Sequence, residues 1–555
     1  MAIQKKLLFR VIDTRVGRGS IYDHVLKRTI SLGPVMVGTV AQSLCGSWLE
    51  VEVVNENHGR RRRGAPIGKD GLLDHFALQL ERRAKIVGIS CSIVNSAPRA
   101  IELIKIYNGL PEELRPKAII VGGWHATDSP IEFLSAGANA VVHGEAEEVI
   151  APLLEAIRDG RELSGFRGVS YRLGDDIRLS DCRELHIAEG KTESKPELGF
   201  NQIALDSLPH PNFGLVRFAK LKVYPAWGVR GCSGKCNFCR VCSLPPRWLS
   251  VDRRTDQIIS LISTFGARKI FYVDDHPEEN LECYRGWLQK LAQYRKTHRI
   301  RFGLMTQNRV SLAEHPEVLQ EMREAGIHTS ARGIESAVPE KLRAMRKPWN
   351  PKKLKGWARV WRKSGIYTHD MFIIGFPMTE EERQAAGEDF VITPRQELKA
   401  MWKLIKILGS DTVQPLVLTP LLNTKVRRQL ERQGRILPYG WERYTGFEVV
   451  FVPDKGVTAE EIQREITRFS LKFYAFHLIW PFKVLSLLVH LVRIGLITCA
   501  MPFFWTRTPW PWRHGETWHR LWRKAILHFG AHTIVMKVTK MWRKRRKAEN
   551  SPLGR

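Results

Sequence analysis

Along the first 160 residues, short apolar runs alternate with stretches in which apolar positions recur at helical spacing. Leu7–Ile12, Leu49–Val54, Ile86–Ser90, Ala118–Gly123 and Ala140–Glu145 have strand length, and Leu32–Leu49, Ala97–Tyr107 and Glu148–Ile157 have the spacing of helices. Leu49-Glu-Val-Glu-Val-Val54 reads as a half-buried strand, whereas Ile86–Ser90 is apolar throughout and fits a buried parallel strand. This alternation predicts a doubly wound, Rossmann-like α/β domain over residues 1–160, with its ligand site beyond the carboxyl ends of the strands.

The rhythm breaks over 161–224, where Gly, Ser and charge give way to the Pro-interrupted Ile203–Pro211, and a linker is expected. It resumes at Ala226, with apolar runs at Lys269–Val273, Arg299–Met305, Gly326–Ala331, Thr368–Ile374 and Thr412–Thr419. Six strand–helix units predict a partial (β/α) barrel over 225–430 with its active residues at the strands' carboxyl ends. Residues 431–474 read as an extension capping the barrel, and 475–555 as a helical basic tail.

Composition adds little for the body of the chain and much for the tail. A chain of 555 residues with 43% hydrophobic content builds several cores. Nine cysteines, three in one loop and most others scattered, exclude a disulfide framework and point to a reducing, cytoplasmic setting. The net charge of +30 is uneven, since Ala475 to the end holds 15 Lys or Arg against two Glu. Phe476–Trp505 is apolar but interrupted by Lys483, His490 and Arg493, which with Ser486 share one helical stripe. A central Arg disfavours a spanning helix and favours one lying in the interface of an anionic membrane. Trp505, Trp510, Trp512, Trp518 and Trp522, followed by the basic run Lys540–Lys547, suit the same headgroup depth. A helical hairpin capping the barrel is the alternative. No basic RNA-binding module is evident, so nucleic acid is not an expected partner.

The chemistry concentrates at Gly231–Cys239, where Cys232, Cys236 and Cys239 are spaced C-x3-C-x2-C. Three thiolates on a cubic 4Fe–4S cluster leave one iron open to a small molecule. A zinc knuckle would want a second cysteine pair downstream, which is missing. With Phe238 before the last cysteine, the loop resembles that of the radical S-adenosylmethionine (SAM) enzymes, and Cys242 is read as a bystander. By that resemblance Phe238, Asp274, Glu335, Ile373 and Gly375 contact SAM. The Asp274 assignment is the weakest, because relatives carry Gly-Gly-Glu where this chain has Asp274-Asp275-His276.

In front of the barrel, Val87-Gly-Ile-Ser90, Val121-Gly-Gly-Trp-His-Ala-Thr127 and His143-Gly-Glu-Ala-Glu147 are similar to the cobalamin-binding domain of the cobalamin-dependent (class B) radical SAM family. The resemblance implies Ser90, Gly122, Gly123, His125, Gly144 and Glu145 as cobalamin contacts. Asp-x-His-x-x-Gly is absent, so no protein histidine is expected on cobalt and His125 reads as a structural or rim residue. The Gly-x-Gly-x-x-Gly fingerprint of a dinucleotide site is also absent.

Together these resemblances, which span roughly residues 5–460, imply a radical SAM enzyme with a 4Fe–4S cluster, SAM and cobalamin as cofactors. The leading reading is a methyltransferase acting on an unactivated carbon of an amphipathic or lipid-like substrate. An oxidative cyclase or rearrangement of a tetrapyrrole-like substrate is the runner-up, and a non-catalytic cobalamin or redox sensor stands in another class. An RNA methylthiotransferase would need a second cysteine triad. The implied partners are a ferredoxin or flavodoxin as reductant and an anionic membrane surface, with the enzyme peripheral at the inner face of the cell membrane.

Overall fold

The structure, a computed structural model, describes residues 6–58, 64–180, 204–241, 244–347, 349–387 and 390–479, together with 536, 540 and 541. Strands β1 (Leu7–Asp13), β2 (Leu49–Asn55), β3 (Ile86–Ser90), β4 (Ala118–Gly122) and β5 (Ala140–Val142) are parallel, in the spatial order β5-β4-β3-β1-β2. Residue alternation along β1 explains the two covering layers. Phe9 and Val11 join Val35, Met36 and Val40 of the helix Leu32–Cys45, while Leu8 and Ile12 join Leu103 and Ile104 of the helix Ala97–Asn108. The order reverses between β1 and β3, so the connections after them leave on opposite faces and open a crevice at their carboxyl ends.

Two readings of this half change. The segment expected as a linker extends the sheet at both edges. β6 (Val169–Leu173) and β7 (Asp176–Arg178) add antiparallel at one side, and β8 (Val216–Arg217) adds parallel to β2 at the other. Residues 181–203 between them lie outside the described residues. Glu52, a polar position in an alternating strand, does not face water. It is buried and accepts from Arg10 at 2.6 Å, Arg82 at 2.9 Å and Arg217 at 2.8 Å. Arg10 and Glu52 are register partners on neighbouring strands, which places opposite charges side by side beneath the helix His75–Glu81.

The second sheet has six parallel strands, β9 (Tyr224–Ala226), β12 (Lys269–Tyr272), β13 (Gly303–Asn308), β14 (Ile327–Glu335), β15 (Tyr367–Ile374) and β16 (Thr412–Val417), in sequential order. A separate ribbon of β10 (Val229–Arg230) and β11 (Arg247–Trp248) follows β9. The strand expected from Arg299 begins at Gly303, because Arg299, at φ 52°, closes the helix Leu281–His298 in the left-handed region. β14 runs beyond Ala331 to Glu335. Along β13 and β15 fully buried residues alternate with half-buried ones. Thr306, Asn308, Phe372 and Ile374 are buried toward the helices, and Met305, Gln307, His369, Met371 and Ile373 line an open lumen.

The helix Ala459–Ile479 closes the outside of the barrel with Ile462, Ile466, Phe469 and Phe473. Trp402 meets Phe469 and Phe473 edge-on, with centroids at 5.5 and 6.1 Å. A truncation testing the tail must therefore end after Ile479, since an earlier stop would strip this cover. Among the described residues no helix is long and apolar enough to cross a membrane. The tail reading, with Lys483, Ser486, His490, Arg493 and all five Trp residues from Trp505 to Trp522, lies outside the described residues.

Candidate active site

The cysteine loop leaves the β9–β10 edge and turns at Gly231, whose φ of 84° and Cβ direction, 2.4 Å from the Pro245 carbonyl oxygen, admit only glycine. Cys232, Cys236 and Cys239 form no disulfide and are partly accessible. A Cβ on Gly234 would sit 3.3 Å from Cys232 Sγ and 4.0 Å from Cys236 Sγ, so the missing side chain keeps open the space on which the thiols converge. That cradle and the all-thiol donor set fit an iron–sulfur cluster. The barrel holds the loop from outside. Asn237 donates its amide N–H to Met345 O at 3.1 Å and its side-chain Nδ2 to Ala344 O at 2.6 Å, and Val426 N–H donates to Asn237 O at 3.2 Å. Phe238 packs edge-on against Phe376, with centroids 6.4 Å apart. Cys242 lies outside the described residues.

The thiols are electrostatically unequal. Burial alone would raise Cys232, but the His276 imidazole, the Gly234 N–H and the Arg309 guanidinium outweigh it and hold the thiol below its ordinary value. Burial raises Cys236, with Lys347 opposing.

At the strand ends the expected SAM contacts separate. Glu335 stands at φ 66° and accepts from Lys347 Nζ at 2.9 Å, a pair that occupies the room left by Gly333. Ile373 faces the lumen, and the Gly375 N–H donates to Glu397 Oε2 at 3.1 Å. Asp274 is buried with its Oδ1 accepting from the Gly228 N–H at 2.8 Å. Asp274 and its more exposed neighbour Asp275 both line the cavity described below.

Burial raises Asp274 to about 7. A carboxyl raised in the folded state stabilises the fold fully below its unfolded pKa of about 4, and that stability is lost as pH rises toward 7. We therefore expect Asp274→Asn, which keeps the acceptor oxygen, to flatten the fall in stability of the cluster-free chain between pH 4 and 7. The gain over the native residue at pH 7 should be about 2–4 kcal/mol by urea denaturation. Equal slopes for the two proteins would refute the burial of this charge.

A cavity of about 370 Å³ lies between the two sheets. Ser90, Gly122, Gly123, Gly144 and Glu145 line it from the strand ends of the first sheet, over an apolar floor that includes Val11, Met36 and Val142. Gly231, Leu244, Val273 and Asp275 line it from the barrel side. Gly123 has φ 107°, and a Cβ there would press on Cys91 and Ser92 at 2.6–2.8 Å. Bare backbone at the ends of β4 and β5 over a largely apolar floor fits a bulky flat cofactor with a nucleotide tail ending in an aromatic base, as cobalamin has. His125 is not among the cavity's walls. It is buried edge-on against Phe133 and Trp441, with centroids at 6.0 and 4.8 Å, which corrects its place among the cobalamin contacts.

Sequence reasoning missed the polar seam around this cavity. Arg230 pairs with Glu145 at 2.8 Å and with Glu147 at 2.5 Å, and Arg247 also reaches Glu145. Arg240, next to Cys239, pairs with Asp128 at 2.9 Å, and Asn423 donates to the same carboxylate at 2.7 Å. Both flanks of the cysteine loop are thus tied to the first sheet. Their only sequence signal is the clustering of Arg around the triad.

The model of the radical SAM superfamily matches residues 228–390. An uncharacterized methyltransferase of Pyrococcus horikoshii is 27% identical over 399 residues, covering 70% of this chain and 78% of the relative. An anaerobic magnesium-protoporphyrin IX monomethyl ester cyclase of Cereibacter sphaeroides is 23% identical over 387 residues, covering 66% and 58%. Among solved structures, the radical SAM methyltransferase TsrM of Kitasatospora setae, with cobalamin and a 4Fe–4S cluster bound, superposes with a TM-score of 0.57 at 15% identity, covering 77% of this chain and 78% of that one. The cysteine triad at the mouth of a six-stranded barrel, the doubly wound sheet facing it and these likenesses agree: residues 228–390 form a radical SAM domain, and the chain has the two-part fold of the cobalamin-dependent radical SAM structures on which it superposes.

Proposed function

We propose that this chain transfers a methyl group to an unactivated carbon of an amphipathic substrate. The observation that carries the reading is the shared cavity, one space faced at once by the bare strand ends of the first sheet and by the turn that bears the cysteine triad. When bound, the 4Fe–4S cluster with SAM supplies a 5′-deoxyadenosyl radical, and cobalamin supplies the methyl group.

The chain's own residues place these groups and exclude water. Cys232, Cys236 and Cys239 would hold the cluster. Ser90, Gly122, Gly123 and Gly144 would seat cobalamin by backbone approach, while Glu145, engaged by Arg230 and Arg247, ties that seat to the loop. Phe238, Glu335, Ile373 and Gly375 would contact SAM along the lumen, with Asp274 and Asp275 as the barrel-side carboxylates lining the cavity. Met305, Met371 and Ile373 make the lumen mainly apolar, with Gln307 and His369 as polar points, and this supports a substrate that is apolar with a few polar groups. The basic, Trp-rich tail supports delivery of that substrate from an anionic membrane, with a ferredoxin or flavodoxin as reductant.

The test is an anaerobic assay of the reconstituted chain with SAM, reductant and a lipid extract of the producing cells. 5′-Deoxyadenosine and S-adenosylhomocysteine should both accumulate. Deoxyadenosine without homocysteine would overturn methyl transfer in favour of cyclisation or rearrangement. For the tail, the full chain should float with anionic liposomes, less so in high salt, and a chain ending at Ile479 should not. Equal sedimentation of the two would remove the membrane from this proposal.

A further inference from the structure

We propose that Arg309 and the His276–Glu279 pair are positioning residues that act on Cys232 and raise the reduction potential of the cluster. The inference rests on the reading of Cys232 as a cluster ligand.

Cys232 Sγ accepts from the Gly234 N–H at 3.4 Å and from Arg309 Nη2 at 3.9 Å. The same sulfur, a His276 ring nitrogen and a Glu279 carboxylate oxygen all lie within 4.8 Å of one another. His276 Nδ1 is in hydrogen-bond contact with Glu279, which also accepts the Ser233 N–H at 3.2 Å and so grips the residue after the cysteine.

Neither side-chain donor belongs to the cysteine loop. His276 follows β12 and Arg309 follows β13, so the barrel scaffold sets their distance from the sulfur. Glu278 fixes that distance further, since its carboxylate accepts the Arg309 N–H at 2.7 Å and Asn308 Nδ2 at 2.9 Å. The guanidinium also lies over the loop, 3.7 Å from where a Cβ on Gly234 would be.

One-electron reduction adds negative charge to the cluster and its thiolates. Hydrogen bonds to a ligand sulfur and a fixed positive charge beside it stabilise the reduced form more than the oxidised one. A Cys–His–Glu group in isolation would suggest a mononuclear metal ion. Here its sulfur also borders the space shared with Cys236, so the imidazole and carboxylate act through the sulfur.

The experiment is a redox titration of the anaerobically reconstituted full-length chain without SAM, read by the electron paramagnetic resonance signal of the reduced cluster. Arg309→Met and His276→Phe should each keep the iron content and visible spectrum of the native chain and move the half-reduction point to lower potential. Arg309→Lys should recover part of the shift. Half-reduction points equal to the native one in Arg309→Met and His276→Phe would overturn the proposal, and so would a single metal ion per chain lost on His276→Phe. Should His276→Phe fail to fold, the Arg309 pair decides alone. A native chain that holds no cluster would instead refute the ligand reading itself, so the two failures are distinguishable.

Discussion

Single replacement of Cys232, Cys236 or Cys239 by Ala is expected to abolish SAM cleavage and to remove most of the bound iron. Two thiolates leave two corners of a cubic cluster without protein ligands, and the remaining site cannot keep one iron distinct for a small molecule. The surrounding fold should survive, because the loop's anchors are backbone and Asn237 contacts to Met345, Ala344 and Val426. Iron per chain, the brown absorbance and 5′-deoxyadenosine release should therefore fall together while the thermal unfolding of the cluster-free chain stays within about 0.5 kcal/mol of native. Cys242→Ala should leave all of these intact. A Cys239 variant that keeps its cluster while the Cys242 variant loses it would exchange the two assignments.

Asp370→Ala should destabilise the barrel by about 3–5 kcal/mol, the second large effect. Asp370 and Arg332 are register partners on β15 and β14, both fully buried, with two contacts of 2.7 and 2.8 Å. Ser410 adds a hydrogen bond to the same carboxylate, and the guanidinium lies 4.9 Å from the centre of the Trp361 ring. Removing the carboxylate leaves a buried cation whose desolvation nothing offsets. Removing both charges, as Arg332→Met with Asp370→Leu, should recover much of the loss. The exposed pair Arg383–Glu380 is the control, and Glu380→Ala should cost under 1 kcal/mol. Urea midpoints of the cluster-free chains read all three. Equal losses for Asp370→Ala and Glu380→Ala would show that the barrel pair is not buried in solution.

The position of Arg332 also bears on activity. It lies three residues before Glu335, which β14 delivers to the barrel mouth at a positive φ. A strand loosened at Arg332 should misplace Glu335 and Lys347 together, so the folded fraction of Asp370→Ala should cleave SAM more slowly than native.

By itself the sequence determined most strands and helices of the two sheets, though not β6 to β8, and which loop carries the thiols. Phe9 and Val11 face one layer while Leu8 and Ile12 face the other because a strand alternates with a period of two, and that period is written in the residue order. The cysteine spacing is equally local, since nine consecutive residues hold the whole triad with its glycines. Only the tertiary structure decided which polar groups meet, because periodicity reports a buried face and not the partner waiting there. Glu52 looked solvent-facing until Arg10, Arg82 and Arg217 came to it from three other segments. Glu145 looked like a free cofactor contact until β10 and β11 brought Arg230 and Arg247 across the seam. His125 turned from the cavity for the same reason. Its ring partner Trp441 is 316 residues away along the chain, a separation that only tertiary packing can close.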